Sequence, residues 1–117
     1  MHSVRTALIY ATRDPDARVR QSAATALGRL TVSGNAAMEV TIRLREMARA
    51  DPSLIVRGAA LASDIRLEKN AALPLARQLM EPEVWQNVIR TPALNALRTL
   101  DTPEARQLLQ EFAPAQQ

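Results

Sequence analysis

The residues that could do chemistry are mostly arginines and aspartates at matched positions of the chain. Arg20, Arg57 and Arg90 occupy equivalent places in three aligned stretches, and Asp14 and Asp51 begin the first two stretches. A guanidinium group is a planar set of donors that binds carboxylate or phosphate groups through paired hydrogen bonds. Two interpretations of these positions are open: a structural role, which we favour, and a ligand-binding site.

Residue types that catalyse reactions or bind metals are nearly absent. The chain has no cysteine, and its one histidine is His2. Thiol catalysis, disulfides and cysteine-based metal sites are excluded, and histidine-based zinc or triad chemistry lacks its ligands. No pair of carboxylates is spaced for acid–base work. We therefore expect no enzyme activity, no metal and no cofactor.

Composition favours a single soluble all-α domain. The chain has 117 residues, is rich in alanine and contains only three glycines; alanine is the strongest helix former. The net charge is +3, and the excess of four positive charges in residues 1–50 is too weak to indicate a nucleic-acid footprint. We find no run long enough to span a membrane and no signal-peptide pattern, which favours a cytoplasmic location.

Internal repeats organise the chain. Residues 14–24 align without gaps with residues 51–61, and residues 56–61 align with residues 89–94, at offsets of 37 and 33 residues. Each unit contains two segments with apolar residues at helical spacing. A helical hairpin cannot bury its apolar face alone and must stack on neighbours. The sequence thus predicts an α-solenoid of stacked antiparallel hairpins with about seven helices.

The predicted core-facing residues form one stripe per helix. They are Val19, Ala23, Ala26, Leu27 and Leu30; Val40, Leu44 and Met47; Val56, Ala60 and Leu67; Ala72, Leu75, Ala76 and Leu79; Ile89, Ala93, Leu97 and Leu100; and Ala105, Leu108, Leu109 and Phe112. In the first unit, Asp14, Pro15 and Asp16 supply a cap and a proline suited to a helix start. Pro74 and Pro92 must each kink a helix or begin one, and Pro74 indicates a helix that begins near Leu73.

The chain divides into three repeats and two flanking segments. Residues 14–50 are repeat 1, residues 51–80 repeat 2 and residues 81–113 repeat 3, with segment 1–13 before them and tail 114–117 after them. Segment 1–13 is either the second helix of a preceding unit in a longer protein, which we favour, or a cap. Its apolar residues cover more than one face: Val4, Leu8, Ile9 and Tyr10. We expect it to dock onto a preceding domain or a second copy of the chain.

The stretch from Asp14 to Gly28 has the pattern Asp-Pro-Asp-x-x-Val-Arg-x-x-Ala-Ala-x-Ala-Leu-Gly. It resembles the first helix of a HEAT repeat, in the bacterial HEAT-like subclass also seen in phycobilin-lyase-type repeats. The pattern is good in the second unit and partial in the third. The resemblance implies a right-handed α-solenoid that is used mainly for protein contacts.

The same resemblance implies a ladder of ion pairs between repeats. It would couple Asp14 and Asp51 to Arg20 and Arg57. The third unit has no aligned aspartate, and Glu81 or Glu83 would have to take its place beside Arg90.

Asp64 differs from its equivalents, because it aligns with Leu27 and Leu97, which we expect to face the core. We expect a small helix rotation that points Asp64 to solvent, or towards Arg66 or Lys69. The alternative is a partly buried carboxylate paired across a repeat interface.

Two other features are interpreted as ordinary packing or surface. Arg43 lies four residues after Glu39 and three before Glu46, which predicts solvated pairs on one helix face. Trp85 is expected to serve in packing, with a role as a contact anchor as the alternative.

Three classes of function follow from this pattern. We favour a non-catalytic HEAT-like module that acts as a protein-interaction or interdomain scaffold, as a fragment of a larger bacterial protein. Nucleic-acid binding is the alternative, but the aromatic residues are too scattered to stack on bases. Residues 101–106 are also similar to the C-terminal HEAT-like arrays of bacterial zinc aminopeptidases, which would place the catalytic domain outside this chain.

Overall fold

The computed structural model describes residues 3–81 and 86–112. Its α-helices are α1 (Val4–Ala11), α2 (Ala17–Leu27), α3 (Gly34–Ala50), α4 (Leu54–Glu68), α5 (Leu73–Met80), α6 (Gln86–Leu100) and α7 (Pro103–Phe112), with a 3₁₀ turn at Lys69–Ala72. No strand occurs in these two ranges. The predicted all-α solenoid is confirmed.

The helices form two layers. One layer contains α2, α4 and α6, and α4 lies between the other two and contacts both. The other layer contains α1, α3, α5 and α7; α1 packs on α2, α3 on α4, and α7 on α6. The stack is elongated, with principal extents of 52 × 28 × 20 Å. None of the helices in the described ranges has the length and hydropathy needed to cross a membrane.

The core follows the predicted stripes with two exceptions, Val19 and Ala26, and Ala26 is only partly buried and lies outside the core cluster. Fully buried side chains from all three units include Leu27, Leu44, Val56 and Leu97. Val19 was expected in this core, but it is 38% exposed in the first turn of α2. The buried face of α2 consists of Ala23, Ala24 and Leu27 instead.

The helix starts differ slightly from the predicted ones. Asp16 is the N-cap of α2 and accepts a hydrogen bond from the Arg18 backbone N–H, whereas the Asp14 carboxylate accepts from the N–H of Asp16 at 2.8 Å. The helix therefore begins two residues after Pro15 and not at it. The expectation for Pro74 is confirmed, since α5 begins at Leu73 with the proline in its first turn.

The backbones of α4 and α6 approach each other closely at Gly58. A Cβ at this position would lie 2.7 Å from the carbonyl oxygen of Val88 and 2.8 Å from Cγ of Pro92. Pro92 lies inside α6 and has no N–H, so it leaves the carbonyl of Val88, four residues earlier, without its usual donor. The two helices thus touch where one lacks a side chain and the other lacks a backbone hydrogen bond.

Gly58→Ala is expected to destabilise the protein by about 1–3 kcal/mol, because the new methyl group would overlap the backbone of α6. At an open position in a helix, the same change would stabilise. Chemical denaturation of Gly58→Ala, Pro92→Ala and the double variant measures the effect. We expect a favourable coupling in the double variant, because removal of the ring relieves one of the overlaps. A Gly58→Ala protein as stable as the wild type would contradict this close approach.

Candidate functional site

Arg20 joins the turn before α2 to the turn before α4. Its Nε and Nη2 donate to the two carboxylate oxygens of Asp51 at 3.0 and 3.1 Å, and its Nη1 donates to the carbonyls of Asp14 and Pro15, each at 3.0 Å. Asp51 is buried, and it also accepts the N–H of Ser53. Burial alone would raise the pKa of Asp51, but the bonds from Arg20 and Ser53 hold it below its usual value.

The other two equivalent arginines bond differently. Arg57 donates to the carbonyl of Asp51 at 2.5 Å, which matches the bond from Arg20 to the carbonyl of Asp14. Arg90 donates to the carbonyl of Met80 at 2.6 Å and lies over the ring of Phe112. In the first two units, the arginine therefore donates to the backbone carbonyl of the aspartate in its own unit. The carboxylate of Asp51 is bound by Arg20, which belongs to the preceding unit. Glu83 lies outside the described residues.

Arg43 makes a contact that the sequence analysis missed. Its guanidinium donates to Oγ1 and to the carbonyl oxygen of Thr12, at 2.9 and 3.0 Å, and Thr12 is fully buried. Glu39 pairs with Arg5 on α1, and the remaining contact of Arg43 with Glu46 is long, at 3.5 Å. The expected pair of Arg43 with Glu46 is therefore present, whereas the expected pair with Glu39 is not. Arg43 and Glu39 instead join α3 to the α1 region.

Asp64 is buried, contrary to the expectation that it points to solvent, Arg66 or Lys69. Its side chain is fully buried, and neither carboxylate oxygen has a hydrogen-bond partner in the described part of the chain. The Nε of Arg45 on α3 lies 4.0 Å from its Oδ2. The register of α4 places Asp64 inward like the aligned leucines. The alternative, a partly buried carboxylate paired across a repeat interface, was right about the inward position, but Asp64 is fully buried and accepts no hydrogen bond from Arg45.

Burial raises the pKa of Asp64 to about 8, and the nearby carboxylate of Glu68 adds to this effect. Arg45 and Arg49 on α3 act in the opposite direction. Burial also opposes the ionisation of Glu68, but Asp64 and Arg45 hold the pKa of Glu68 below its usual value. At neutral pH, Asp64 therefore holds the proton and Glu68 holds the charge.

A groove opens beside this cluster, between the start of α3 and the end of α4. It encloses about 540 Å³. Its apolar lining includes Val32, Met38, Ile42 and Leu67, and the Arg45–Glu68 ion pair also lines it. Met38 is 59% exposed and Ile42 is 49% exposed. The groove thus combines exposed aliphatic side chains with an ion pair.

The candidate contact residues of α1 fall into two groups. Val4 is 66% exposed and Tyr10 is 82% exposed, whereas Leu8 and Ile9 are partly buried against the core. Of these four residues, Val4 and Tyr10 therefore present the most exposed apolar surface. Trp85 lies outside the described residues.

A HEAT repeat family model matches residues 3–33, which contain α1, the Asp-Pro turn and α2. This match supports a HEAT-type helical repeat and pairs α1 with α2, whereas the sequence analysis paired α2 with α3. No curated protein and no solved structure matches the chain. Across the described ranges, no group of three or more acidic or histidine side chains is placed to hold a metal ion.

Asp64→Leu is expected to stabilise the protein, because Leu occupies the equivalent positions and a buried charge is costly. The folded-state pKa of about 8 lies above the ordinary value of 3.8, so the folded protein binds this proton more tightly. The contribution of protonated Asp64 to the free energy of unfolding is fully present below about pH 4, and it is lost as the pH rises to about 8. The gain should therefore be about 1–4 kcal/mol at pH 9 and smaller at pH 5.5.

Thermal and chemical unfolding at the two pH values measures this difference. Asp64→Asn is the matched control, since it removes the titration and keeps the shape. Equal gains for Asp64→Leu at both pH values would show that Asp64 titrates as an ordinary exposed carboxyl group.

Proposed function

We propose that this chain is a non-catalytic helical repeat module that binds another protein or supports a neighbouring domain. The observation that carries the proposal is the exposed aliphatic surface of Met38 and Ile42 in a groove. Neighbouring exposed apolar side chains in a concave surface are typical of protein contact sites. The HEAT repeat match at residues 3–33 supports the same class, because such arrays offer long surfaces to partners.

The arrangement of the arginines argues against nucleic acid as the main ligand. Within residues 3–81 and 86–112, seven arginines form ion pairs with carboxylates: Arg5, Arg18, Arg20, Arg43, Arg45, Arg77 and Arg106. A guanidinium that a protein carboxylate already neutralises gains little from a phosphate. The module would serve equally well beside a catalytic domain, as in the zinc aminopeptidases that the sequence resembles.

A photo-crosslinking residue at position 42 is expected to capture a discrete protein partner, because Ile42 lies in the exposed groove. The same residue at Gln78, an exposed polar position on α5, is the matched control. With the captured protein purified, Ile42→Glu should weaken its binding at least tenfold in calorimetry. Equal crosslinking from both positions, or unchanged binding by Ile42→Glu, would contradict the proposed function of this surface.

Binding to duplex DNA or RNA is expected to be weak and to disappear at physiological salt, because the net charge is only +3 and half of the fourteen arginines pair with carboxylates in the described residues. Fluorescence anisotropy with a labelled duplex at low and physiological salt measures it. Micromolar or tighter affinity at physiological salt would make nucleic acid the better proposal.

A further inference from the structure

The cluster beneath the groove contains one shared cation and two carboxylates. Arg45 donates through Nε and Nη2 to Glu68, and the bond from Nε measures 2.8 Å. The same Nε is 4.0 Å from Oδ2 of Asp64, beyond hydrogen-bond distance. Arg45 therefore satisfies Glu68 and does not donate to Asp64.

The charges of this cluster do not balance when both carboxylates are ionised. Arg45 supplies one positive charge against two negative ones, and Arg49 on α3 is the other cation that acts on Asp64. Arg49 is exposed and ranks below Arg45 in its effect. No charged group of α2 or α6 acts on Asp64 in the described residues. At neutral pH the protonated Asp64 leaves Arg45 and Glu68 in balance. A further cation close to Glu68 balances the cluster once Asp64 is ionised.

The groove gives access to Glu68 but not to Asp64. Glu68 and Arg45 line the groove, and the side chain of Glu68 is 15% exposed. Met38 and Ile42 line the same groove and are exposed. A ligand that fills the groove would therefore contact apolar side chains and the ion pair together.

We propose that the groove binds a protein segment that presents a basic side chain next to apolar ones, and that the basic group completes the Arg45–Glu68–Asp64 cluster. This inference rests on the proposed protein-binding function and names the chemistry of the partner. An acidic segment fits less well, because Glu68 already occupies Arg45 with two hydrogen bonds and would repel another carboxylate.

Binding would rearrange the cluster in one short step. The incoming cation pairs with Glu68, and Arg45 then moves the small distance that separates it from Asp64. Asp64 loses its proton to solvent and becomes the carboxylate partner of Arg45. The buried oxygens that lack a donor in the free protein thereby gain one, and binding becomes tighter as the pH rises towards 8.

The test uses n-hexylguanidinium, which joins a six-carbon apolar chain to a guanidinium group, with n-hexanol and hexanoate as matched probes. Amide chemical shifts of Met38, Ile42 and Glu68 report binding in the groove, and the carboxyl carbon of Asp64 reports its titration. We expect hexylguanidinium to bind at least tenfold more tightly than either other probe. It should also lower the pKa of Asp64 from its value of about 8 in the free protein.

Glu68→Gln should remove the preference for hexylguanidinium over hexanol, whereas Glu46→Gln, on the exposed side of α3, should keep it. Equal binding of hexylguanidinium and hexanol to the wild type would overturn the proposal, and so would an unchanged pKa of Asp64. Both measurements on the wild type are independent of any variant that fails to fold.

The two proposals fail in different ways. If the protein captured at position 42 binds Glu68→Gln as tightly as the wild type, the proposal that the partner presents a basic side chain is contradicted. The proposed interaction surface is still supported in that case. If no protein binds through position 42 while hexylguanidinium still binds as expected, the groove chemistry stands and the proposed function is wrong.

Discussion

The close packing of α4 between α2 and α6 is the constraint on which the rest of the structure depends. On one side, Gly58 lies against the backbone of α6. On the other, the hydroxyl of Ser63 donates to the carbonyl of Ala24 at 2.7 Å, and it occupies the space where a Cβ on Gly28 would lie. Because both contacts involve backbone atoms, α4 has little freedom to rotate or slide. Its rotation in turn decides which of its residues face α3.

Asp64 is inside the protein as a consequence of that packing. Residues 60–65 of α4 are all buried, so this helix has no solvent-facing side at its centre. A rotation that carried Asp64 to the surface would drive Ser63 or Gly58 out of its close contact. The free-energy cost of a buried carboxyl group is evidently smaller than the cost of breaking two helix interfaces. Protonation of Asp64 reduces this cost further, since a neutral group loses less hydration.

The helices and most of the core were predictable from the sequence, because they depend on apolar spacing within one helix. The contact between Arg43 and Thr12 was not, since the two residues are 31 positions apart and no local pattern connects them. For Asp64 the signal was present: its alignment with Leu27 and Leu97 indicated an inward position. The polarity of Asp64 favours a solvent-facing position, but polarity does not indicate which rotation of α4 the packing of the helix allows. The groove depends on the relative placement of α3 and α4, which repeat spacing does not define.

Because the helices are buried to different extents, they differ in their free energy of local unfolding. None of the residues of α1 is buried, whereas eight residues of α4 are. The free energy of local opening follows the number of buried contacts that must be broken, so α1 should exchange its amide hydrogens far sooner than α4. The hydrogen bond between Arg43 and Thr12 lies at the boundary between α1, which opens easily, and the more stable helices that follow it. A partner that held α1 in place would extend the rigid part of the solenoid by one helix.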